Sequence, residues 1–366
     1  MIKNRIEKLA SCMRASGLDG MLVCPSEELL FLTGYTPKMC ERFQGLFVTA
    51  EGKCFFICNR IYEGEIKNAY GGAMQVYSWM DGESMTAAVG AALEPNGLAH
   101  KALGVNSTAP AFNTLDIARD CGVTFVNGLD VLEEARIIKT AAEADDLRKS
   151  AKITDDVFKM VIKFIRPGLK EADIKNFLLE KMSEAGGGKP WAIVASGANS
   201  SYPHYSGTER VIEELDMMIL DFGCTVNGMF SDMSRTVFVG GITEEWRKIY
   251  GIVRKSLDAG SAAAVTGAFI PDIDKASRDI IENAGYGENF LNRLGHGIGY
   301  MIHEGPDIKK NNQRNLESGM AFSIEPGIYI AGKVGMRIEN IVLATEEGNE
   351  VLNRSDMGVV ICCGKI

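Results

Sequence analysis

Four acidic residues, Asp221, Asp232, Glu325 and Glu339, lie within apolar, strand-like stretches of this 366-residue chain. Their placement constrains the fold more than any other feature. A carboxylate with apolar neighbours on a buried strand has to be paired or bound to a cation, because burying it bare is too unfavourable. Only four histidines occur, and three of them, His204, His296 and His303, share the second half of the chain with these acids. One imidazole among four carboxylates is a donor set for two divalent metal ions.

The local patterns say how the acids meet. Asn227-Gly228 sits between apolar runs and predicts a tight hairpin turn. Val226 then faces Met229 and Gly223 faces Asp232, so Asp221 and Asp232 become diagonal neighbours on one face. Two like charges that close require a cation or a shared proton. Further on, FSIEPGIYI and GMRIEN each place a glutamate among apolar residues, and Gly332 and Gly335 let the chain return between them. A second hairpin is expected to present Glu325 and Glu339 opposite the first, with Arg337 on the same strand face as Glu339. Arg337 could buffer the carboxylates or bind a substrate anion. In GHGIGYMIHEGP, glycines flank His296 and allow close backbone approach. His303 is an odd number of residues away, so an extended chain would turn the two rings to opposite faces. Loop geometry must bring both to the site, one as a ligand and the other as a donor to substrate. Oxygen-rich coordination with a single imidazole favours Mn²⁺, Co²⁺ or Fe²⁺, with Zn²⁺ still open. Two such ions about 3.5–4 Å apart would activate water for hydrolysis.

The remaining chain reads as two domains. Residues 1–130 look like a small α/β unit: a helix at about 3–17, strands at 20–24, 46–50 and 54–59, a helix at 83–94, and short strands near 101–106 and 122–126. Residues 131–366 hold the acids, with helices over 143–165, 169–184, 244–264 and 273–284 around strand-rich blocks. This gives a rough internal symmetry. His100 is expected to be structural. The nine cysteines are scattered, as in reduced thiols of a cytoplasmic protein, and Cys54 and Cys58 lack partners for a zinc site. A net charge of -9 argues against nucleic acid and anionic membrane as partners. No apolar run reaches the length of a membrane span.

LDFGCTVNGMFSDMSRTVFVG, HGIGYMIHEGP, FSIEPGIYI and GMRIEN together resemble the pita-bread metallopeptidases, which include Xaa-Pro aminopeptidases and Xaa-Pro dipeptidases. RIEKLASCMRASGLDGMLV and LFLTGYTP resemble the creatinase/prolidase-type N-terminal domain of that group. The resemblance implies an α/β domain followed by a duplicated, curved antiparallel sheet with flanking helices. It implies that Asp221, Asp232, His296, Glu325 and Glu339 hold two ions, Mn²⁺ foremost, with Asp232 and Glu339 bridging. Glu325 would also shuttle a proton, His204 and His303 would handle substrate, and Arg337 would support the site. A homodimer acting on short proline-containing peptides is implied as well.

Two departures bear on specificity. Many relatives carry histidine where this chain has Asn292, which should alter a substrate-facing wall. Some carry arginine, able to meet a dipeptide's carboxylate, where this chain has Asp307. Both lean towards an Xaa-Pro aminopeptidase acting on longer peptides. The alternative is an Xaa-Pro dipeptidase. Further off lie a creatinase-like hydrolase, a methionine aminopeptidase (disfavoured by the long N-terminal domain) and a non-catalytic homologue on the same fold.

Overall fold

A computed structural model describes residues 2–363 of the chain. The chain divides into two compact units, residues 1–136 and 137–366.

The first unit is a six-stranded mixed sheet of β1 (Gly20–Val23), β2 (Gly45–Thr49), β3 (Cys54–Asn59), β4 (Gln75–Trp79), β5 (Ala102–Val105) and β6 (Thr124–Asn127), in the order β4-β3-β2-β1-β5-β6. Its helices are α1 (Ile2–Ala15), α2 (Glu27–Thr33), α3 (Arg60–Tyr70), α4 (Met85–Leu93), α5 (Ala111–Cys121) and α6 (Leu129–Arg136). Apolar spacing places Ile6, Leu9, Ala10 and Met13 of α1 in the interior. The elements α3, β4 and α5 were not separately expected. His100 lies in a turn with φ 60°, its ring packed against the backbone of Gly122. All nine cysteines are free thiols.

The second unit is built twice on one plan. Its first half has helices α7 (Ala141–Phe164) and α8 (Glu171–Glu184) over strands β7 (Gly188–Ser196), β8 (Met217–Val226), β9 (Met229–Phe230) and β10 (Met233–Val239). Its second half has helices α9 (Glu244–Ala263) and α10 (Ile270–Asn283) over β11 (Gly295–Gly297), β12 (Glu304–Ile308), β13 (Ala321–Ile324), β14 (Gly327–Ile330), β15 (Val334–Arg337), β16 (Asn340–Thr345) and β17 (Gly348–Val351). A last strand, β18 (Val360–Cys362), returns beside β10. Helix α7 starts on a capping box, in which Thr140 Oγ1 accepts from Glu143 N and Glu143 Oε2 accepts from Thr140 N.

Alternation along the strands sorts core from site. On β8, Met218, Leu220, Phe222 and Cys224 pack with Val157, Phe158 and Val161 of α7, which leaves Asp221 on the opposite face. In the second half, Phe322, Ile324, Val342 and Ala344 share a core with Ile249, Val253 and Leu257 of α9. The odd-numbered face that carries Glu325 and Glu339 is left for the interior of the unit. Helices thus cover the outer face of each sheet and acids line the inner one. This is the pita-bread arrangement the motifs implied. No helix among the described residues is long and apolar enough to cross a membrane.

Candidate metal centre

The first pair of acids comes from the Asn-Gly hairpin. Asn227 and Gly228 both have positive φ, 49° and 87°, which the turn demands. Val226 pairs with Met229, and Ser234 pairs with Asp221, so a single register runs through the hairpin. Asp232 falls in the gap between β9 and β10, where the ladder opens. Ser231 closes that gap, its N–H donating to Cys224 O at 2.8 Å. The second pair sits at a similar break. Ile324 pairs with Asn340 on one side and Gly327 with Arg337 on the other, in one continuous register. Glu325 and Glu339 therefore face each other between two ladders.

His296 lies on the three-residue strand β11, and its flanking glycines have a steric reason. A Cβ at Gly295 would lie 1.8 Å from Ser323 O, and one at Gly297 would lie 2.0 Å from Gly305 O. Close backbone on both sides fixes the ring. Its Nδ1 is 3.0 Å from Gly297 O, an acceptor, so Nδ1 carries the proton and the Nε2 lone pair points inward. Nε2 stands 3.6 Å from Asp232 Oδ2, 3.5 Å from Glu325 Oε1 and 3.9 Å from Glu339 Oε1. Burial, with the neighbouring His303 adding to it, pushes the imidazole pKa down to about 3, so the ring is neutral and a lone-pair donor.

Asp232, His296 and Glu339 each turn a ligand atom into a space where all three lie within 4.8 Å of one another. At that spacing two bare carboxylates repel by roughly 3.5 kcal/mol at an effective dielectric of about 20. Desolvation, then repulsion from Glu339, Asp221 and Glu325, lifts Asp232 well above the usual carboxylate range. Glu339 is lifted in the same way by burial, then Glu325 and Asp221. Glu325 is pushed up to about 7, by burial first. Asp221 Oδ1, Asp232 Oδ1 and Glu339 Oε1 are buried without a hydrogen-bond partner. Buried acceptors without donors, crowded acids and a neutral imidazole together fit a divalent cation.

Arg337 is wholly engaged inside the protein. It donates to Asp221 Oδ2 at 2.6 Å, to Ser234 Oγ at 2.7 Å, to Tyr329 OH at 2.6 Å and to Pro203 O at 3.3 Å. Of its two expected uses, buffering the acids is the one this geometry serves. Ser234 and Tyr329 were not expected at the site. Ser234 Oγ also donates to Glu339 Oε2 at 2.8 Å, so it joins Arg337 to the cluster. Its position two residues after Asp232, on the same strand face, was the available signal. Ser323, two residues before Glu325, is a further addition: its Oγ accepts from His296 N and donates to Glu325 Oε1.

Of the two remaining histidines, His303 packs on His296 and His204 lies near His303. The His303 ring lies edge-on to that of His296, with centroids 4.3 Å apart, so the irregular segment between them overcomes the odd spacing. Burial lowers the His303 pKa, and the charges of Arg293 and His204 lower it further, which places both near its ring. His204 is exposed on the loop after β7. That loop is held by Glu171, whose Oε1 accepts from Ser196 N and Ser196 Oγ at 2.7 Å each.

The two departures look different in three dimensions. Asn292 is half-buried, and its amide donates to the backbone of Arg293 and, at 3.2 Å, of Glu325, so it also braces the main chain at the glutamate. Asp307 is charge-compensated by Lys309 at 2.5 Å and Arg293 at 3.3 Å. Arg293 keeps its Nε without an aligned hydrogen bond.

Comparison with known proteins agrees with this geometry. Residues 145–346 match the model of metallopeptidase family M24, and residues 5–138 match the creatinase/prolidase N-terminal domain. The chain is 33% identical over 361 residues to a probable dipeptidase, PepE, of Mycobacterium tuberculosis, covering 98% of this chain and 96% of the relative. The crystal structure of the dipeptidase PepE from Mycobacterium ulcerans superposes with a TM-score of 0.93 at 32% identity, covering 99% and 98% of the two chains. An Xaa-Pro dipeptidase from Bacillus anthracis gives 0.88 at 31%, covering 99% and 100%. With both domains matched and a carboxylate–imidazole cluster suited to a divalent ion, this chain belongs to metallopeptidase family M24.

Proposed function

We propose that this protein is a dinuclear metal-dependent exopeptidase that hydrolyses the Xaa-Pro bond of dipeptides. The observation that carries the hydrolytic reading is the set of buried, unpartnered carboxylate oxygens converging on the neutral His296. Asp221, Asp232, His296, Glu325 and Glu339 would hold two ions, Mn²⁺ before Co²⁺, Fe²⁺ or Zn²⁺, with Asp232 and Glu339 shared. When bound, such ions lower the pKa of water and neutralise charge developing on oxygen. Glu325 would take a proton from the attacking water and return it to the leaving proline nitrogen. His303 donates a hydrogen bond to the substrate carbonyl and His204 positions the bound peptide. Arg337 holds Asp221 and the His204 loop in register.

Dipeptidase replaces aminopeptidase as the leading reading for two reasons. Asp307 was the main objection to a dipeptide's C-terminal carboxylate, and Arg293 and Lys309 compensate its charge. Arg293 also lends its positive charge to the site, which favours such a carboxylate. The dipeptidase names of similar proteins over nearly the whole chain point the same way. A homodimer formed through the N-terminal unit, where α5 exposes Phe112 and Leu115, and a reducing cytoplasmic setting for the nine free thiols belong to the same proposal. Metal-loaded protein assayed against Xaa-Pro, Xaa-Pro-Yaa and Xaa-Ala-Yaa peptides tests the reading. Turnover of the dipeptide alone is expected. Cleavage of only the tripeptide would return the assignment to an aminopeptidase, and no turnover with two metals bound would sink the peptidase reading.

A further inference from the structure

His303 ends an irregular stretch, residues 298–303, with its ring packed edge-on against His296 and part of the residue open to solvent. Such a loop has to be held if a ring at its end is to meet substrate in one orientation. Its beginning is tied by backbone: Ile298 N donates to Ala321 O at 3.0 Å and Phe230 N donates to Gly299 O at 2.8 Å. Its end is tied by a charged pair. Glu304, the residue after His303, accepts from Met301 N on Oε2 at 3.2 Å and from Lys139 Nζ on Oε1 at 2.5 Å. The two side chains are only 1% and 2% exposed. Lys139 is itself anchored, its N–H donating to Gly319 O at 2.8 Å beside the Ile138–Met320 bridge. The fit is close, because a Cβ at Gly299 would lie 2.4 Å from Glu304 Oε1 and 2.9 Å from Lys139 Cε.

A pair this deeply buried adds little net stability, since desolvation offsets the attraction and an apolar pair of the same shape generally does as well. What an apolar pair could not supply is direction. Glu304 fixes the Met301 amide, and so the path by which the chain enters His303. We propose that Lys139 and Glu304 are positioning residues for His303, setting its ring against the substrate carbonyl through the 298–303 loop. The inference rests on the role proposed above for His303.

The test is steady-state kinetics of the full-length, metal-loaded protein on an Xaa-Pro dipeptide. Lys139→Met is expected to lower kcat on the order of a hundredfold, as a misplacement of about 1 Å can. KM should change much less, bound metal should stay at the unmodified stoichiometry, and Lys139→Arg should restore part of the loss. In a His303→Ala background, Lys139→Met should lower kcat no further. An equal fold-loss in both backgrounds overturns the positioning role. An unchanged kcat for His303→Ala alone overturns the reading of His303, and this proposal with it. Where Lys139→Met fails to fold, the double variant Lys139→Met/Glu304→Leu removes both charges and keeps the interior apolar. Full kcat in that variant also overturns the proposal.

Discussion

Asp232 is stable as an anion only with a cation beside it, and that makes its replacement informative. Asp232→Asn should lower turnover by more than about a hundredfold, since outer partners of metal ligands alone account for 10–100-fold. The metal-free variant should melt no lower than the metal-free parent, because Asn is neutral without the proton that metal-free Asp232 has to bind. Metal analysis together with thermal melts checks both halves. Arg293→Ala should raise KM for an Xaa-Pro dipeptide about tenfold, the ~1.4 kcal/mol of one partly solvated charge-assisted bond. An unchanged KM would remove Arg293 from substrate binding. The acids and His296 were legible in sequence because their side-chain chemistry is rare in apolar strands. Ser234, Tyr329 and Arg293 were not. A serine or tyrosine acquires such a role only through the contact it makes, here with Arg337.

At the scale of elements, two ladders and their interruptions build the centre. The Asn227-Gly228 turn sets a register that continues across the break at Asp232, so the hairpin argument was correct down to the facing pairs. The internal symmetry, faint in sequence, is plain in hydrogen bonds. Before α8, Gly168 N donates to Ile212 O and Ile212 N to Leu169 O; before α10, Gly267 N donates to Leu316 O and Leu316 N to Ala268 O. Gly168 and Gly267 match because both have positive φ, 90° and 87°, whereas Leu169 and Ile212 are replaced by Ala268 and Leu316, since backbone pairing places little demand on residue type. Close backbone approach does demand one at Gly297. Gly297→Ala should destabilise the protein by about 1–3 kcal/mol, the usual range for overpacking, and weaken metal binding by moving His296. Urea unfolding and metal titration test it, and unchanged stability would contradict the 2.0 Å approach of Gly305 O.

For the whole molecule, the acid cluster links metal, pH and stability. Glu325 rises from an ordinary 4.5 to about 7 on folding without metal, and Asp232 and Glu339 also rise. A raised carboxyl pKa means that the folded state binds more protons than the unfolded one. The stabilisation is complete below pH about 4 and is lost as pH rises through the folded value. Metal-free protein should therefore melt at progressively lower temperature from pH 5 to pH 8, and added Mn²⁺ should raise the melting temperature more at the upper end. A flat difference between metal-free and metal-loaded melts across that range would refute the linkage. The sequence by itself determined which acids require a cation, which turns join them and which family they resemble, because burial penalties and turn geometry act locally. Tertiary structure alone decided which side chains satisfy which. It turned Arg337 inward to Asp221, joined the Asn292 amide to the Glu325 backbone, compensated Asp307 with Arg293 and Lys309, and tied Glu304 to Lys139. Apart from Lys309 beside Asp307, those pairings join residues well separated in the chain, and no local pattern encodes a contact that exists only once the chain has folded.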